Sequence, residues 1–120
     1  MDLSILLVDD DPDFLALASR VLKGMGIDVV ATAEDAASAL VAAQTTRPQA
    51  ALVDVGLPDR NGIDLGAELA TMPWSPRVVL TSTDSQIDSE VEISERGVTL
   101  PFIPKEDLAT ARLRSALGID

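Results

Sequence analysis

The chain has neither cysteine nor histidine. Without cysteine there is no disulfide framework and no thiolate metal site. Without histidine there is no imidazole base, no imidazole ligand and no Ser-His triad. Oxygen chemistry is what remains. Positive charge is also scarce: 9 Lys and Arg stand against 20 Asp and Glu, for a net charge of -11, and the basic residues form no run. That balance argues against nucleic acid or an anionic membrane as a direct partner, and suits a cation or a basic protein face. The N-terminal apolar stretch is too short for a membrane span and lacks the basic lead-in of a signal peptide, so a cytoplasmic protein is expected. The 120 residues fit one domain, 1–120, with room for a real core, and no repeat, linker or low-complexity tract interrupts them.

What is present is a repeated junction between aliphatic runs and polar groups. Leu3-Ser4-Ile5-Leu6-Leu7-Val8 ends in Asp9, Asp10 and Asp11; Ala50-Ala51-Leu52-Val53 ends in Asp54; Val78-Val79-Leu80 ends in Thr81-Ser82. Continuous aliphatic runs read as strands buried on both faces, and in open α/β sheets the ligand crevice lies outside the strands' carboxyl ends. Helical patterns separate these strands. Pro12 sits as a first-turn proline, and Phe14, Leu15, Leu17, Ala18, Val21 and Leu22 follow at helical spacing up to Gly24 and Gly26. Ile27 to Ala31 reads as a second strand, Glu34 to about Gln44 as a second helix, and Ile63 to Met72 as a third. Ile87 to Arg96 reads as a fourth helix closed by Gly97, Phe102-Ile103 as a short fifth strand with Pro101 suited to an edge, and Glu106 to Leu117 as a last helix. The alternation predicts an α/β fold: a five-stranded parallel sheet with helices on both faces and right-handed crossovers.

The strand-end residues make a constellation. Asp9 and Asp10 on one strand end and Asp54 on a neighbouring one can share a hard divalent cation such as Mg²⁺, which takes oxygen ligands and relieves the crowding of like charge. Lys105 brings an ammonium to the same edge and Thr81 a hydroxyl donor. Carboxylates, a cation, a hydroxyl and an ammonium around one point make a phosphoryl pocket. Singly, each residue has a plainer role open to it: Asp9 and Asp10 suit a solvated turn or a helix cap, Thr81 a strand end, and Lys105 the surface beside Glu106.

Leu6-Leu7-Val8-Asp9-Asp10, Leu52-Val53-Asp54-Val55-Gly56-Leu57-Pro58, Asn61-Gly62, Val79-Leu80-Thr81-Ser82 and Phe102-Ile103-Pro104-Lys105 together resemble the receiver domains of two-component response regulators, over essentially the whole chain. The resemblance implies a doubly wound, flavodoxin-like sheet of order 2-1-3-4-5. It implies Asp54 as acceptor of a phosphoryl group from a histidine kinase or phosphotransfer protein, and Asp10, Asp54 and the Gly56 carbonyl as Mg²⁺ ligands, with Asp9 acting through water. It further implies that Thr81 and Lys105 bind the phosphoryl oxygens. Thr81 and Phe102 would form the switch, the ring turning inward into space that the threonine vacates. The fourth helix, fifth strand and last helix would form the output face for protein contacts. The ending at Pro104-Lys105 resembles receivers that precede helix-turn-helix output domains, and a homodimer fits the same scheme.

The pattern departs from the family in places. Phe102 has no phenol, so any inward preference must come from burial, and a plain core role is equally open to it. Glu106 follows Lys105 where proline is common, so no cis bond is expected there. Asn61 stands where aspartate is commoner, and suits the same turn. The resemblance implies that side chains at positions 56 and 83 modulate phosphoryl lifetime; Gly56 has none to activate water, so Thr83 and solvent access are expected to govern self-dephosphorylation. A phosphatase with an aspartate nucleophile would need a second aspartate at position 56, so a stoichiometric acceptor is expected rather than a turnover enzyme. A receiver-like module working without phosphorylation is the alternative.

Overall fold

The computed structural model describes residues 3–82, 92–95, 97–108 and 111–118. The aliphatic runs become strands β1 (Ser4–Val8), β3 (Ala50–Asp54) and β4 (Arg77–Ser82), with β2 (Asp28–Ala33) beside β1 and β6 (Val98–Pro104) beside β4. These five are parallel neighbours in the order β2-β1-β3-β4-β6, the expected 2-1-3-4-5 arrangement with β6 as its fifth strand.

Helices cover both faces because each buried strand sends alternate side chains to opposite sides. Leu6, Val8, Ala51, Val53, Val78, Leu80 and Phe102 pack with α2 (Ala36–Thr46) and α3 (Gly62–Ala70). Ile5, Leu7, Ala50, Leu52, Val79 and Ile103 pack with α1 (Pro12–Gly24) and α4 (Ala111–Ala116). Each fully buried Leu, Ile or Val stabilises by roughly 1.5–3 kcal/mol, so the central strands hold the sheet rigid and fix the positions of their ends. Leu17, expected on the apolar face of α1, instead faces solvent at 50% exposure, since Leu15, Ala18 and Leu22 carry the buried stripe.

The helix expected over Ile87 to Arg96 is corrected where it is described. Residues Glu92–Glu95 form strand β5, antiparallel to β6, with Glu92 opposite Pro101 and Glu95 opposite Val98; residues 87–91 and 96 lie outside the described ones. Gly97, expected to close a helix, has φ 78° and sits in the turn between β5 and β6, because the left-handed conformation that ends a helix also makes a tight hairpin. The short fifth strand lengthens accordingly, and it is not an edge strand, since β6 lies between β4 and β5; at Pro101 itself one side is still open. Pairing of β6 with β4 begins only at Phe102, so Pro101 has a strand neighbour on its β5 side alone. The last helix is also shorter than expected: Lys105–Asp107 make a 3-10 turn before α4 begins at Ala111. Among the described residues no helix is long and apolar enough to cross a membrane.

Candidate functional site

The polar residues at the carboxyl ends of β1, β3 and β6 converge. The β1 backbone continues one residue past the strand, where the Asp9 N–H donates to the Ala33 carbonyl at 3.0 Å and places its side chain under the sheet's rim, only 1% exposed. Asp9 Oδ1 accepts from the Asp11 N–H at 2.9 Å, and Asp11 Oδ1 in turn accepts from the Asp13 N–H at 3.0 Å as the N-cap of α1, with Pro12 in the first turn. Asp11 is thus the capping residue. Asp9 and Asp10 are left for the crevice, Asp9 buried and Asp10 exposed.

Asp54 ends β3, 6% exposed, and its Oδ1 accepts from the Gly56 N–H at 3.2 Å. The turn behind it depends on Gly62. A Cβ there would overlap the Asp54 carbonyl oxygen and lie 2.6 Å from Val55 Cα, so only glycine lets α3 start against the acceptor's own backbone. Asn61 was expected only to suit a turn; it caps that helix by accepting from the Ile63 N–H at 2.8 Å. Asp59, in the same loop, accepts from the Ala36 and Ala37 N–H groups at 2.9 and 3.1 Å, tying the loop to the start of α2.

Lys105 reaches this point from the 3-10 turn after β6, with every described peptide bond trans. Its Nζ lies 2.7 Å from Asp9 Oδ2 and 3.7 Å from Asp54 Oδ2. The Asp9 Oδ2 atom makes this ion contact but no hydrogen bond of good geometry, although it is buried. Thr81 is the register partner of Asp54 and is 2% exposed, and its carbonyl accepts from the Val55 N–H at 3.0 Å. Phe102 is buried among the core residues beside Leu80. Thr83 lies outside the described residues.

Carboxylate oxygens of Asp9, Asp10 and Asp54 lie within 4.8 Å of one another. Among the described residues one ammonium stands among three carboxylates, which leaves the cluster short of positive charge. The all-oxygen donor set fits a hard divalent cation. The strain shows in Asp54: burial foremost, with Asp9 and Asp10, pushes its carboxyl above the ordinary value, against the Gly56 N–H and Lys105, which favour the charged form.

Sequence reasoning did not single out Phe14. It was expected as one more apolar residue of α1, yet the Lys105 ammonium stands 4.5 Å from the centre of its ring. The available signal was its place in the first turn of the helix that starts at the crevice.

The model for the response regulator receiver domain matches residues 5–117. The chain belongs to the response regulator receiver family. It is similar to the DNA-binding response regulator MtrA of Mycolicibacterium smegmatis, 37% identical over 113 residues that cover 92% of this chain and 49% of that one. It is also similar to the probable transcriptional regulatory protein TcrX of Mycobacterium tuberculosis, 35% identical over 118 residues, covering 95% of this chain and 49% of that one. This receiver chain therefore spans about half the length of the curated relatives it matches. Among solved structures, the signal receiver domain of the response regulator NarL from Mycobacterium tuberculosis matches with a TM-score of 0.74 at 24% identity, over 98% of both chains. A CheY-like receiver domain from Methylobacillus flagellatus matches with a TM-score of 0.76 at 20% identity, again over 98% of both. At these identities the structures speak to the fold alone.

Proposed function

We propose that this receiver domain accepts a phosphoryl group on Asp54 from the phosphohistidine of a sensor kinase or phosphotransfer protein, in a Mg²⁺-dependent reaction. The observation that carries the reading is the convergence of Asp9, Asp10 and Asp54 oxygens within 4.8 Å, with Lys105 Nζ 3.7 Å from Asp54 Oδ2. Phosphoryl transfer asks a protein mostly for positioning and for charge neutralisation on the equatorial oxygens. An Asp54 oxygen attacks phosphorus in line, the bond from phosphorus to the histidine nitrogen breaks, and the imidazole leaves with that electron pair. Lys105 faces the oxygens on one side, and the Thr81 hydroxyl, at the end of the neighbouring strand, donates to another. Asp9, Asp10, Asp54 and the Gly56 carbonyl would hold Mg²⁺, which supplies charge neutralisation when bound.

Each domain takes one phosphoryl group, so it acts as a stoichiometric acceptor with at most self-dephosphorylation, governed by Thr83 and solvent access. It works in the cytoplasm, passing the signal to an output domain or protein through the face that contains Phe102 and α4. Thr81 and Phe102 couple the site to that face.

The test is the intact mass after incubation with acetyl phosphate, with and without Mg²⁺, beside Asp54→Asn. A Mg²⁺-dependent phosphoryl adduct in the wild type and none in the variant is expected. Equal adduct in the variant would sink the assignment of Asp54. No adduct from acetyl phosphate or from a phosphohistidine donor would favour a module that works without phosphorylation.

A further inference from the structure

The environment of Lys105 contains more than the two carboxylates. Its side chain is 14% exposed, and its ammonium is bounded by Asp9 Oδ2 at 2.7 Å, Asp54 Oδ2 at 3.7 Å and the Phe14 ring at 4.5 Å from the centroid. The two acids do not hold it equally. Asp9 draws it towards the end of β1, a full ångström closer than the residue whose phosphoryl group it would serve. A carboxylate pair alone gives a flexible side chain no reason to stay between them rather than collapse on Asp9 or swing out into water. An aromatic face supplies what is missing: it attracts a cation electrostatically, excludes water from one side, and takes up none of the three N–H donors. The loop gives little help of its own, since Lys105 opens a 3-10 turn of three residues.

We propose that Phe14 is a positioning residue of this site, its ring face holding the Lys105 ammonium beside Asp54 so that the N–H donors meet the phosphoryl oxygens without rearrangement. The inference rests on the reading of Asp54 as the phosphoacceptor. Phe14 touches neither the acceptor's oxygens nor the donor in this scheme, and acts through Lys105 alone. It is suited to that task by its place on α1, whose first turn is fixed by the Asp9-Asp11-Asp13 chain of hydrogen bonds. The ring and the buried carboxylate are thus set by one piece of backbone. Lys105, arriving from the other end of the chain, docks against both.

The experiment measures single-turnover phosphorylation by acetyl phosphate at saturating Mg²⁺ in the full chain. It compares the wild type, Phe14→Leu, Phe14→Trp, Lys105→Met, the double variant, and protein carrying mono-, di- and trifluorinated phenylalanine at position 14. Expected are a slowing of roughly 3- to 30-fold in Phe14→Leu, near wild-type rates in Phe14→Trp, and a graded fall as fluorine drains the ring face at almost constant volume. Phe14→Leu should add nothing once Lys105→Met has removed the ammonium. A flat fluorine series, or equal effects of Phe14→Leu with and without Lys105, would reduce Phe14 to packing and overturn the proposal. If no protein, wild type included, forms an adduct from acetyl phosphate or from a phosphohistidine donor, the acceptor reading has failed instead. The ring-current shift of the Lys105 ε-methylene protons, read in metal-free protein, then decides the contact: loss in Phe14→Leu supports it, and absence in the wild type overturns it.

Discussion

The two ends of the sheet are built from the same strands and treat their polar groups in opposite ways. At the amino ends the polar groups are paired. Ser4 and Gln49 exchange hydrogen bonds, with the Ser4 N–H donating to Gln49 Oε1 and the Gln49 N–H to Ser4 Oγ, both at 2.9 Å. The Arg77 N–H donates to the Gln49 carbonyl, the Trp74 indole N–H to the Pro48 carbonyl, and the Arg47 guanidinium stands 5.3 Å from the centre of the Trp74 ring. At the carboxyl ends, among the described residues, three carboxylates share one ammonium. Ordinary stability would not select the second arrangement, because crowded, desolvated like charges raise the free energy of the folded state. The contrast marks the end of the fold that is kept for chemistry.

Breaking the turn behind Asp54 should have the largest effect. Gly62→Ala sets a methyl group against the Asp54 carbonyl and the Val55 backbone, neither of which can rotate away, and should cost about 3 kcal/mol in chemical denaturation. Lys105→Met removes the one cation found in the cluster among the described residues and takes from Asp9 its ion partner; a loss of about 2 kcal/mol is expected, partly restored by Mg²⁺ in thermal melts. Asp54→Asn works in the opposite direction. A carboxyl held above its ordinary value binds more protons folded than unfolded, so its charged form destabilises at neutral pH. The variant should therefore be slightly the more stable at pH 7, which thermal melts check. That advantage should shrink as pH falls through the raised value and vanish below the ordinary aspartate pKa. The smallest effect on the chemistry is at the satisfied end: Trp74→Phe loses one hydrogen bond, costs about 1 kcal/mol, and should leave the yield of acetyl phosphate adduct unchanged.

What the sequence made legible follows the same division. Runs such as Ile5 to Val8 and Ala50 to Val53 can only be buried strands, and the first polar residue after each must emerge at a common edge, so Asp9, Asp10 and Asp54 were readable from local order. The Glu92-Ile93-Ser94-Glu95 segment has no such run, and its helix reading rested on the alternation of elements around it. Its actual state comes from pairing with β6 across Gly97, where a glycine with positive φ serves a hairpin as readily as a helix end. This places a strand in part of the face that the family pattern assigns to a fourth helix. Phe14 over Lys105 and Asp59 on the start of α2 were illegible for a related reason. Each joins residues far apart in the chain, and neither residue type announces its partner.

The most direct test of Asp54 as the acceptor is chemical. The protein is phosphorylated with acetyl phosphate and Mg²⁺, reduced with borohydride to convert any acyl phosphate to homoserine, and mapped by peptide mass. Homoserine at position 54 alone is the expected result. Homoserine at position 9 or 10, or at none while the intact protein carries a phosphoryl adduct, would contradict the account.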